Sequence, residues 1–152
     1  MKKIIIAIAI FSGLLFTGYE SRAQSNGKAD VEKLILTYQD ALNASNAEKV
    51  VAHYSADGVL LANAAPTAVG TEQILGTYKY VFDNYTYNLK FTIDEIVTNG
   101  NYAFARSTSK GSFVVKSSGQ TVQDENRELF VFEKVKGQWK IARYMYNKTK
   151  QL

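Results

Sequence analysis

The hydrophobic period of this chain changes once, near Asn88, and that change fixes the class of fold it can adopt. Before it, Val31, Leu34, Ile35, Tyr38 and Leu42 recur at helical spacing, with Glu32, Lys33, Gln39 and Asn43 between them. This pattern predicts an amphipathic helix of about four turns. Asn46 reads as the cap of a second, shorter helix that buries Val50, Val51 and Tyr54, with Glu48 in its first turn. Asp57-Gly58 reads as a turn, followed by a short apolar run from Val59 to Ala62. Asn63 to Gly70, which holds the only proline, Pro66, has no period and reads as a loop. Thr71 is the expected cap of a third helix, with Ile74, Leu75, Tyr78, Val81, Phe82 and Tyr85 on one face.

After Asn88 the period is two. Leu89, Phe91 and Ile93 alternate with Lys90, Thr92 and Asp94, and Asn99-Gly100 is a strong hairpin signal. A second strand is expected from about Tyr102 to Val115, a third from Thr121 to Lys134, and a last from Trp139 to Asn147. Ser117 to Gln120 and Lys136-Gly137 form the turns between them. Three helices followed by four long strands predict an α+β chain with one antiparallel sheet. Such a sheet twists and curls into a cone, with the helices over its concave face and the convex face left open. An apolar convex face would favour pairing of two copies, so a homodimer through that face is expected.

The first residues fall outside this pattern. Met1-Lys2-Lys3 is basic, Ile4 to Phe16 is almost uninterruptedly apolar, and Ser21-Arg22-Ala23 offers small residues to a peptidase. These three parts together describe a secretory signal of residues 1–23. The apolar run falls short of the roughly 20 residues of a membrane span, so stable insertion after removal of the signal is not expected. With no cysteine after the run, a lipoprotein anchor is excluded. Residues 24–152 then form one exported domain, in the periplasm or outside the cell, of ordinary size.

Loss of Lys2, Lys3, Arg22 and Glu20 leaves fifteen cations against thirteen anions, with no basic run, so a nucleic-acid surface is not expected. The chain has no Cys and a single histidine, His53. No disulfide can brace the fold, and neither a thiolate nor a His-rich metal site can form.

The order of elements and several strings resemble the nuclear transport factor two-like superfamily, and most closely its SnoaL-like branch of the SgcJ/EcaC type. The strings are Tyr38-Gln39-Asp40-Ala41-Leu42-Asn43-Ala44, His53-Tyr54-Ser55-Ala56-Asp57-Gly58-Val59 and Ala65-Pro66-Thr67-Ala68-Val69-Gly70. Asn126-Arg127-Glu128-Leu129-Phe130-Val131-Phe132 and the run from Trp139 to Asn147 complete them. The resemblance implies a cone with a pocket inside. It carries no single function, because the superfamily holds isomerases, cyclases, dehydratases and non-catalytic binders. Against its steroid isomerases, Tyr38 falls where the oxyanion-stabilising Tyr stands and Glu128 where the second, hydrogen-bonding acid stands. The base position falls near Ala62, which cannot accept a proton, and this argues against that isomerisation.

Strand alternation puts Asn126, Glu128, Phe130 and Phe132 on one face, which the resemblance turns into the cone. On the neighbouring strands the same argument selects Phe104, Arg106 and Thr108, then Ala142, Tyr144 and Tyr146. An aromatic pocket with an Arg106–Glu128 ion pair near its middle is therefore expected, structural or functional. Tyr38, Tyr54 and Tyr78 are candidates for the pocket from the helical half, where a Tyr on an apolar stripe is more often core with its hydroxyl satisfied. His53 reads as a partly exposed helix residue.

No phosphate loop, nucleophile motif, metal cluster or cofactor signature is present. Three functions fit. One is an exported binder of a small, partly apolar molecule. Another is a cofactor-independent isomerase, hydrolase or dehydratase-like enzyme with Glu128 as acid or base and Tyr38 or Tyr144 stabilising charge. The last is a dimeric interaction module with a filled cone. A raised Glu128 pKa and a water-free, ligand-sized cavity would favour the enzyme, and a solvent-open cone with Glu128 locked to Arg106 the binder.

Overall fold

A computed structural model describes residues 14–149, with side-chain surroundings from residue 27 onward. The expected signal, residues 1–23, lies largely outside these residues. The elements are α1 (Leu14–Asn43), α2 (Ala47–Val51), β1 (Tyr54–Leu61), β2 (Ala68–Val69), α3 (Gly70–Asn84), β3 (Tyr85–Asn99), β4 (Tyr102–Val115), β5 (Thr121–Val135) and β6 (Gln138–Lys148). They form an α+β fold in which a curved six-stranded sheet, ordered β2-β1-β6-β5-β4-β3, is covered by the helices.

The helical period acts as expected on α1, where Val31, Ile35, Tyr38 and Leu42 are buried. The Asn46 side chain caps α2 by accepting a hydrogen bond from the Lys49 amide at 2.9 Å. On α3 the expected cap is wrong. The N-cap is Val69, two residues before Thr71, and its own side chain makes no cap bond. The Gln73 side chain reaches back instead and accepts from the Val69 amide at 2.9 Å. The helix also ends at Asn84, so Tyr85 begins β3 rather than extending the buried face of Ile74, Tyr78 and Phe82.

The sheet is not wholly antiparallel. β1 runs parallel to β6, with Leu60 opposite Tyr144. Asp57-Gly58 is no turn but an irregularity within β1, where the register against β6 shifts between Tyr54 and Val59. The long hairpins stand where the turn residues put them, with Gly100, Lys136 and Gly137 all at positive φ.

Two polar residues of α1 fasten the helix to the sheet. The Asn43 amide both donates to the Leu89 carbonyl and accepts from its N–H, each at 2.8 Å. Gln39 accepts from the Phe91 amide at 2.7 Å. β3 is the last strand of the sheet, so these bonds occupy backbone groups that would otherwise form an open edge. In β4, Gly111 lies so close to β3 that an added Cβ would sit 2.0 Å from the Asn88 carbonyl oxygen. Only glycine permits that approach.

Candidate ligand pocket in the cone

The cone is not filled. Between α1, α3 and the inner sheet face lies a cavity of about 760 Å³, within the usual range for small-molecule sites. Its charged lining, among the described residues, consists of Asp124 and Glu128 from β5 and Lys148 from β6. The rest is largely aromatic and aliphatic.

Glu128 is 3% exposed. Its Oε2 accepts a hydrogen bond from the Tyr144 hydroxyl, and Ser109 also bonds its carboxylate. Burial raises its pKa from the ordinary 4.5 to about 7. The Ser109 and Tyr144 bonds oppose that rise, and the Asp124 charge adds to it. Near neutrality this carboxyl therefore exists in both forms. Tyr144 stacks on Phe130 with centroids 4.1 Å apart and rings 4° from parallel, which fixes the phenol that serves Glu128.

A second polar group faces it from the helical side. The Tyr38 and Tyr78 hydroxyls lie 2.6 Å apart, and Tyr54 reaches Tyr78 at 3.1 Å. Burial pushes all three phenols above the usual tyrosine value, as it does Tyr144, so all remain protonated at neutral pH. Tyr38 also meets Phe91, Phe130 and Tyr144 edge-on.

Farther along β5 the wall is polar again. Asn126 donates through Nδ2 to Ser109 Oγ at 3.2 Å and to Asp124 Oδ2 at 3.0 Å. Asp124 Oδ1 stands 3.3 Å from Lys148 Nζ, and that ammonium also lies over the Phe113 ring. Hydrogen bonds and one ion pair thus run from Lys148 through Asp124, Asn126 and Ser109 to Glu128 and Tyr144.

The structure brings together Tyr38, Tyr54, Tyr78, Asn126, Glu128, Phe130, Tyr144 and Tyr146, though Phe130 and Tyr54 back the cavity rather than line it. Phe104 and Arg106 do not join them. Phe104 is 38% exposed, and Arg106 pairs with Asp94 at 2.9 Å and Glu95 at 3.8 Å on the outer face. The expected Arg106–Glu128 pair is absent because residues opposite one another on adjacent strands share a face. Opposite Glu128 stands Ser107, and opposite Arg106 stands Leu129. The inner face of β4 is Ala103, Ala105, Ser107 and Ser109, all buried, and of these Ser109 lines the cavity. On β6, Ala142 sits at a register shift, and Tyr144 resumes the inward set.

Sequence reasoning missed Asp124, Lys148 and Ser109. Alternation carried two residues beyond Asn126 and Tyr146 would have found the first two. His53 lies outside the cone, with Nε2 3.0 Å from Thr37 Oγ1 and its pKa lowered by burial and by Lys140.

A hollow cone of this topology, with a buried acid among phenols, defines a nuclear transport factor two-like protein. Residues 35–144 match the family model of the SnoaL-like domain, and the chain belongs to that family. A ketosteroid isomerase-like protein from Erwinia carotovora atroseptica SCRI1043 is 31% identical in sequence and superposes with a TM-score of 0.78. The match covers 82% of this chain and 97% of that one. An NTF2-like protein with a cystatin-like fold from Novosphingobium aromaticivorans, 17% identical, has a TM-score of 0.73 over 93% of this chain and 94% of its own. No curated protein matches the chain.

Proposed function

We propose that this protein binds a small, partly apolar molecule inside the cone, with the Glu128–Tyr144 pair as its main polar contact. The cavity of about 760 Å³ carries this reading, because a packed cone would leave no room for a ligand. Ala62 lines the cavity, so filling from that wall is a direct test. Naphthylmethanol, a neutral aromatic probe, should bind the native protein in calorimetry and lose at least tenfold in affinity in Ala62→Trp. Equal binding in a folded Ala62→Trp protein would place the probe elsewhere and defeat the proposal.

A second reading gives Glu128 a chemical task as acid or base. It is favoured by a carboxyl raised to about 7 and by the outward position of Arg106, which leaves Glu128 without a cationic lock. Ala62 supplies no second carboxylate at its wall. Under this reading Glu128→Gln abolishes turnover while retaining binding of the neutral probe.

The same proposal takes residues 1–23 as an export signal, so mass spectrometry of the protein recovered from the periplasm or medium should find Gln24 at its start. It also pairs two copies through the outer sheet face, where Val97, Phe104, Leu129 and Met145 are exposed. Light scattering should give a dimer that Phe104→Glu dissociates.

A further inference from the structure

We infer that the ligand is an organic cation, an amine carried on an aromatic or alicyclic body, held by the aromatic wall with its ammonium toward Glu128. This rests on the reading of the cone as a binding pocket and adds the charge of what fills it.

The inference comes from the charge and hydrogen-bond balance of the wall. Among the described residues the cavity has one cation, Lys148, and its ammonium is already engaged by Asp124 at 3.3 Å and by the Phe113 ring. Among the described residues Glu128 has no cationic partner, and the groups that hydrogen-bond its carboxylate, Tyr144 and Ser109, are neutral hydroxyls. An entering anion would meet an unpaired carboxyl and would have to take Lys148 from Asp124. An entering ammonium would supply the counter-charge Glu128 lacks.

The unused hydrogen-bonding capacity points the same way. Asp124 can only accept, so it holds the Asn126 Nδ2 side toward itself and Ser109. That fixes the amide orientation and leaves Asn126 Oδ1 buried and without a partner beside this wall, an acceptor that a donor would satisfy and an anion would not. The rest of the lining, including Tyr38, Tyr78, Tyr87, Tyr144 and Tyr146, offers phenol rings whose faces attract cations.

Binding of such a ligand is linked to protons. The groups that act on Glu128 are Asp124 on its own strand, Ser109 on β4, Tyr144 and Tyr146 on β6 and Tyr78 on α3, while Tyr38 on α1 meets Tyr144 and Tyr78. The tyrosines stay protonated, and Lys148 is held by Asp124. Glu128 is then the group that titrates near neutrality, and a bound ammonium favours its charged form. Affinity for an amine should rise about tenfold from pH 6 to pH 8, following Glu128 ionisation through about 7.

The test uses three probes of one shape: naphthylmethylamine, naphthylmethanol and naphthoic acid, each titrated into the native protein by calorimetry. The expected order at pH 8 is amine, then alcohol, then acid, with at least tenfold between amine and acid. Amine binding near pH 7 should release protons, read from heats in buffers of different ionisation enthalpy. In Glu128→Gln the amine should lose at least tenfold in affinity at pH 8, and its rise in affinity between pH 6 and pH 8 should disappear. If the acid or the alcohol binds as tightly as the amine, the inference fails and the pocket reading stands. If none of the three binds, both fall. Should Glu128→Gln not fold, proton release by the native protein decides, and its absence overturns the inference.

Discussion

Replacing Glu128 with glutamine should make the protein more stable than the native chain at high pH and remove a pH dependence that the native chain carries. The carboxyl titrates near its ordinary 4.5 in the unfolded chain and near 7 when buried in the cone. The folded state therefore holds a proton that the unfolded state has lost over this window. Stability contributed by Glu128 is fully present below about 4.5 and is lost as pH rises through about 7. The full difference is worth about 3 kcal/mol, since each pKa unit corresponds to about 1.4 kcal/mol. About 2.5 kcal/mol of it is expressed between pH 5 and pH 8. An amide fits the same space, keeps an oxygen that accepts from Tyr144, and never ionises.

Urea denaturation of native protein and Glu128→Gln, followed by tryptophan fluorescence at pH 5, 6, 7 and 8, isolates this effect. Every other titrating group cancels in the difference between the two proteins. The native-minus-variant stability should fall by about 2.5 kcal/mol across the series. A difference that stays flat would show that Glu128 is charged or solvated throughout, and the account of the cone as a desolvated pocket would fail.

Arg106→Met should change stability by less than about 1 kcal/mol and leave probe binding unchanged, because its partners Asp94 and Glu95 lie with it on the outer face. A lost ligand affinity in calorimetry would contradict the outward placement. Tyr144→Phe removes the phenol that serves Glu128, so it should cost about 1–2 kcal/mol and raise the Glu128 pKa further, as read from carboxyl chemical shifts. An unchanged or lowered value would deny that the bond favours the charged form. Gly111→Ala should destabilise by more than about 3 kcal/mol in urea, because the new Cβ meets the Asn88 carbonyl and the strands must part.

The two periods of the sequence were enough to find three helices and the four long strands β3 to β6, because a buried helical face and a half-buried strand each leave a regular mark. They did not find β1, whose first residue, Tyr54, reads as the buried side of the second helix. What they could not give was phase. Arg106 looked inward only because no local signal says which face of a strand is inner. The small inner residues Ala103, Ala105, Ser107 and Ser109 gave no hydrophobic signal that could have marked the inner face of β4. The irregularity between Ile93 and Glu95 reverses the alternation of β3 partway along, so counting from one end misassigns the other. Glu128 was legible because Phe130 and Phe132 mark its face. Asp124 and Lys148 lie on the same alternation, just outside the strings that carry the family resemblance.

The central claim is that a ligand enters the cone, and a crystal structure of the native protein with naphthylmethylamine bound at pH 8 tests it most directly. The naphthyl ring should lie among Tyr38, Tyr78, Tyr144 and Tyr146, with the ammonium within hydrogen-bond distance of Glu128. A cone that stays empty while the probe occupies the outer sheet face would contradict the account.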